Sequence, residues 1–145
     1  MVMRIIDAIL NGAVDVMADA PDAGGGANGV VQVWSGSPPG TITGAPAGDL
    51  LAEIDLDNPA FNAGGTTNPG EAEGQGVPIT TTGLADGTIG FIRVLDTDQL
   101  DADALWDDDD VGTSGTRVIF NTLTVAIGVD FSLDSYVLSA VPTTA

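Results

Sequence analysis

The chain has 145 residues and a formal charge of −18, set by 21 acidic residues against three arginines, Arg4, Arg93 and Arg117, with no lysine and no histidine. That balance argues against nucleic acid as a partner, because a duplex binder needs a stripe of Lys and Arg on the phosphates, and against an anionic membrane surface for the same reason. No cysteine is present, so disulfides, thiolate zinc sites and Ser-His or Cys-His catalysis are unavailable within the chain.

All but three of the acids are aspartate, the exceptions being Glu53, Glu71 and Glu73. A charge of this size works against the compact state in dilute buffer, whereas at about 1 M salt the screening length falls to about 3 Å. The composition therefore predicts a protein of concentrated brine or seawater, the alternative being an acidic protein of ordinary salt. The length predicts a single domain spanning residues 1–145, large enough to bury about two thirds of the surface of its unfolded chain.

The opening "MVMRIIDAILNGAVDVMADA" places Asp7, Asn11 and Asp15 four residues apart, with Ile6, Ile9, Leu10, Ala13 and Met17 forming the other side. This spacing predicts an amphipathic helix over residues 3–18, and its polar residues argue against a signal peptide. Pro21 and the run Gly24-Gly25-Gly26 end it. Nothing in the chain approaches the roughly twenty apolar residues of a membrane span.

Short β-rich segments follow, punctuated by Gly, Pro, Asn and Asp: "VVQVW" at 30–34, "LLAEIDL" at 50–56, "VPITTT" at 77–82, "TIGFIRVLD" at 88–96, "TRVIFNTLTV" at 116–125 and "VDFSLDSYVLSAV" at 129–141. They predict a mainly β fold, an antiparallel sandwich or barrel over residues 29–141. In 88–96, Ile89, Phe91 and Leu95 share one side, interrupted by Arg93, while Ile92 and Val94 take the other. Both sides are expected to be covered, by the helix or by a neighbouring subunit. The segments at 35–49 and 58–76 read as long loops outside the core, extended arms that order against a partner.

The stretch "DTDQLDADALWDDDDVG", residues 96–112, holds eight aspartates. It lacks the Gly at the sixth position and the Glu at the twelfth that a calcium loop of the EF-hand type needs. A looser calcium, magnesium or sodium site at Asp96, Asp98, Asp101 and Asp103 stays open, and residues 107–110 read as a solvated turn. Trp106, among these acids, is the tryptophan more expected to be exposed. No cofactor is implied.

The order of motifs is similar to that of a family of small virion proteins encoded in the structural-gene blocks of tailed phages and related viruses. Trp34-Ser35-Gly36 corresponds to a strand ending of the type "YTG" in that family, and residues 48–61 correspond to its "GTLLA" segment ending in "PAF". Residues 87–96 correspond to its "GT--WFR--D" and residues 112–139 to its "GTSGA" region. The chain departs in its acidity, in Ile92 where the family pattern has Phe, and in the inserted "QLDADALWDDDD". The resemblance implies a β-rich, non-enzymatic structural protein of the virion, here of a tailed virus with a halophilic host, a haloarchaeal one among the candidates. A capsid decoration or cement protein on the outer capsid surface leads, bound to the major capsid protein and homotrimeric or otherwise homo-oligomeric. A tail or head-tail connector protein, or a host-surface-binding module, is the alternative. Ile5, Ile9, Trp34, Phe61 and Trp106 are the expected contact residues.

Chemical denaturation at stepped potassium chloride concentrations tests the brine reading: the unfolding midpoint should rise steeply between dilute buffer and about 1 M salt. Full stability without salt would remove it.

Overall fold

Strands rich in Val, Ile and Phe, broken by Gly, Asn and Asp, form two sheets in the computed structural model, which describes residues 6–23, 28–96 and 104–140. The first sheet runs β2 (Leu50–Asp55), β1 (Val30–Ser35), β5 (Gly87–Leu95), β6 (Ala104–Asp108), and the short β9 (Thr124–Val125) pairs with the start of β5. The second is built on β10 (Asp130–Ser139), with β3 (Glu71–Glu73) at its end and β4 (Ile79–Thr82) at its start. β8 (Val118–Phe120) also pairs with β10, and β7 (Val111–Gly112) runs parallel to β8. The other pairings between these strands are antiparallel.

Val31, Val33, Ile54, Ile92 and Val94 of the first sheet meet Val118, Phe120, Phe131, Leu133 and Tyr136 of the second in one core. The protein is thus a mainly β sandwich with an N-terminal helix, and the barrel alternative does not form. β3, β6 and β7 are too short or too acidic to show as alternating apolar runs. The expected strand at 116–125 divides at Asn121: β8 joins the second sheet and β9 the first. Asn121 holds the crossing point, its Oδ1 accepting from Ser132 N at 2.9 Å and its N donating to Ser132 O at 3.1 Å.

Alternation in β10 also breaks, between Leu133 and Ser135, where the register to β8 shifts. Phe131 and Leu133 before the irregularity and Tyr136 and Leu138 after it are all buried. A β-bulge supplies the extra residue that keeps both pairs on the core side.

The helix α1 (Asp7–Asp19) lies against β3 and β10, and it is turned the other way from a simple amphipathic reading. Its polar side faces inward. Asn11 Oδ1 accepts from Gly70 N at 2.8 Å and Asp15 Oδ1 from Gly64 N at 2.5 Å, with Val14 and Ala18 buried beside them. Ile6, Ile9, Val16 and Met17 are instead exposed, at 67%, 61%, 75% and 40%. Just beyond the helix, Asp22 Oδ2 accepts from Ala60 N at 2.8 Å. The backbone N–H groups of an irregular loop need acceptors, and these side chains provide them.

That loop, residues 58–76, corrects the expectation of a free arm. Ala60, Phe61 and Ala72 are in the core, and Phe61 packs edge-on to Tyr136 with ring centroids 5.4 Å apart. Gly65, at φ +83°, lies so close to the Asn11 side chain that a Cβ there would collide with it. The loop at 36–49 is also held by this chain: Gly44 O accepts from Arg93 at 2.9 Å, and Asp49 N donates to Ser35 Oγ at 2.9 Å. Both loops are thus tied to the sandwich by contacts within the chain.

Phe61→Ala should cost about 3–5 kcal/mol, as for other buried aromatic truncations. Ile9→Ala, at an exposed helix position, should cost little in the same denaturant titration at high potassium chloride.

Candidate functional site

A buried guanidinium demands a carboxylate, and the chain offers two arginines in strand-like segments flanking its aspartate run. Arg93, in the middle of β5, has no exposed surface. Its Nε and Nη2 donate to the two carboxylate oxygens of Asp107 at 2.8 and 3.1 Å, a bidentate pair across the β5–β6 ladder where the two residues are opposed. Its Nη1 donates to Gly44 O. Removing one partner of such a pair strands a buried charge and typically costs about 3–5 kcal/mol.

The next residue repeats the device on the other side of the strand. Asp108 is buried, and its two oxygens accept from Arg117 Nε and Nη2, both at 3.0 Å. The neighbouring carboxylate raises the Arg117 pKa further above its ordinary value, the hydrogen bond to Asp108 being the main cause. Tyr136 Oη donates to Asp108 at 3.3 Å and accepts from Trp106 Nε1 at 2.7 Å. Burial, reinforced by the Asp108 charge, pushes the Tyr136 pKa far above its usual value. Asp110 closes the corner by accepting from Arg117 N at 2.9 Å.

Trp106, Asp107, Asp108 and Arg117 line a cleft of about 180 Å³ together with Met17 of the helix and Leu138 and Ser139 of β10. Its acids are engaged: Asp107 holds Arg93, and Asp108 holds Arg117 and Tyr136. The phenol is kept neutral. The arrangement locks β6 to both sheets and leaves its carboxylates committed to those contacts.

Residues 107–110 are therefore not the solvated turn that their composition suggests. Asp107 and Asp108 belong to β6, and only Asp109 of the four is exposed. The signal was present in the chain: Arg93 interrupts an apolar strand face, and the densest run of acids, residues 96–110, follows it. Trp106, expected to be exposed, is half-buried with its indole N–H spent on Tyr136. Trp34 is half-buried too, its Nε1 donating to Gln32 at 3.2 Å.

Of the other expected contact residues, Ile9 is exposed, Phe61 is 3% exposed and serves the core, and Ile5 lies outside the described residues. Phe61 is thus unavailable to a partner, because the loop that carries it folds back on β10. The proposed cation ligands Asp98, Asp101 and Asp103 also lie outside the described residues, and Asp96 is half-buried at the end of β5. Among the described residues no group of three or more acids is gathered as a metal site, and no helix is long and apolar enough to cross a membrane.

Tyr136 is the single tyrosine of the chain, so tyrosinate absorbance near 295 nm reports on it alone. In the folded protein that signal should be absent well above pH 10, the ordinary phenol value. Since the folded pKa lies above the unfolded one, Tyr136 favours the fold fully below about pH 10, and this contribution is lost as pH rises beyond it. Titration at the ordinary value in folded protein would contradict the buried network.

The chain matches no protein-family model, and no curated protein or solved structure is significantly similar to it.

Proposed function

We propose that the protein is a non-enzymatic structural component of a virion, a capsid decoration or cement protein that binds and stabilises the major capsid protein lattice on the outer surface at high salt. The observation that carries this reading is a division of the surface. A chain of charge −18 nevertheless exposes two groups of large aliphatic side chains. One is the outer side of α1, with Ile9 and Val16, and Ile6 just before it. The other gathers Leu84, Ile127 and Val129 at 53%, 65% and 57% exposure, on segments joined by Gly83 N to Val129 O and Gly128 N to Gly83 O. Apolar patches rimmed by polar groups mark contact surfaces.

A cement protein needs that division. Contact area across several capsid subunits resists separation, and the remaining carboxylates keep the outward side hydrated. The resemblance of its motif order to that of small phage virion proteins supports the same reading, as do the committed acids of the cleft. A host-glycan module is less favoured, because neither Trp34 nor Trp106 offers a free ring with an unspent indole N–H.

Cryo-EM of the intact virion at side-chain resolution tests the proposal. Many copies over joints between capsid proteins, with both apolar patches covered, is the expected result; copies confined to the tail or its connector would replace the capsid lattice with tail proteins as the partner.

A further inference from the structure

The chain contains two Asn-Gly pairs, Asn11-Gly12 and Asn28-Gly29. An asparagine before glycine is the one most open to attack on its own side-chain amide, because the glycine nitrogen has no neighbouring Cβ to obstruct the approach. The fold gives the two pairs opposite settings. Asn11-Gly12 lies inside α1, where the Gly12 N–H points at the carbonyl four residues back. Its side chain is held as well: Asn11 Oδ1 accepts from Gly70 N at 2.8 Å, and Gly65 is packed against the same amide. Asn28-Gly29 lies outside helix and strand, immediately before β1. Asn28 is exposed, and among the described residues neither its side chain nor Gly29 N has a hydrogen-bond partner. Gly29 is fixed from its other end. Its carbonyl accepts from Leu56 N at 2.9 Å, and a Cβ on it would lie 2.5 Å from the Cβ of Pro21.

We infer that Asn28 is a modification site, at which the folded protein deamidates itself. Gly29 N attacks Asn28 Cγ and gives up its proton, the Cγ–Nδ2 bond breaks, and ammonia leaves as a succinimide ring closes. Water then opens the ring at one carbonyl or the other. The products are aspartate and isoaspartate, and no oxidant or cofactor enters. Each adds a carboxylate to a chain of charge −18, and in isoaspartate the main chain also gains a methylene just before β1. The same reaction at Asn11 would require that residue to leave helical dihedrals, Gly12 to give up its helix hydrogen bond, and Gly70 N to lose its acceptor. Local opening of α1 must come first, which makes Asn11 the slower site.

The inference goes beyond the assembly reading and does not depend on it. Full-length protein is aged at mildly alkaline pH in about 3 M potassium chloride, where its self-repulsion is screened. Peptide mapping by mass spectrometry follows both asparagines, with electron-transfer fragmentation separating isoaspartate from aspartate. In folded protein Asn28 should deamidate at least about tenfold faster than Asn11. In chain unfolded by guanidinium, where both pairs are open, the two should react at similar rates. Circular dichroism of the aged sample checks that the reaction occurs in folded protein. Asn28→Gln, whose longer side chain would have to close a larger ring, should keep the fold and lose the acidic form seen on isoelectric focusing. An Asn28 that stays intact in folded protein while it reacts in the unfolded chain, or an Asn11 that keeps pace with it, overturns the inference.

Discussion

Arg93 is the constraint around which the rest of the molecule is arranged. Its guanidinium lies at the centre of the first sheet with no exposure, and a charge there is tolerable only if every donor is engaged. Asp107 engages two of its nitrogens and the carbonyl of Gly44 a third. One residue therefore brings an acidic strand to the sheet edge and ties down a long glycine- and proline-rich loop. Because side chains alternate along a strand, the residue after Asp107 must point the other way. Asp108 does so, and through Arg117 and Tyr136 it fastens the same strand to the second sheet.

The helix shows a related exchange of roles. An amphipathic pattern ordinarily buries its apolar side, yet here the loop at 58–76 brings unpaired N–H groups to the helix, and Asn11 and Asp15 are the acceptors that answer them. Satisfying buried backbone groups fixes the helix rotation, with Val14 and Ala18 filling the remaining contact. The apolar side is left outward. A chain with 18 aspartates thus leaves Ile9 and Val16 exposed on its helix.

Seen together, the two features separate holding from joining. Arg93 and Arg117 with their aspartates serve cohesion within the chain, while Ile9, Val16, Ile127 and Val129 are exposed. Loops that carry Gly, Pro and Thr also join this cohesion, residues 58–76 through Ala60 and Phe61 in the core and residues 36–49 through Gly44 and Arg93.

The sequence by itself determined the class of fold, the positions of the long strands and the helix, and the exclusion of histidine and cysteine chemistry. Val, Ile and Phe at regular spacing encode those locally, whatever their neighbours. Tertiary structure decided which aspartates are solvent and which are structural, since "WDDDD" reads identically in both roles until Arg93 and Arg117 are placed opposite it. It also decided the side of α1 that faces inward, because the acceptors matter only once residues 64 and 70 arrive from across the chain. The same holds for Phe61, which lies in a segment without pattern and becomes core only when that segment folds onto Tyr136. Periodicity records a residue's immediate neighbours, whereas pairing between distant charges and backbone groups is settled by topology.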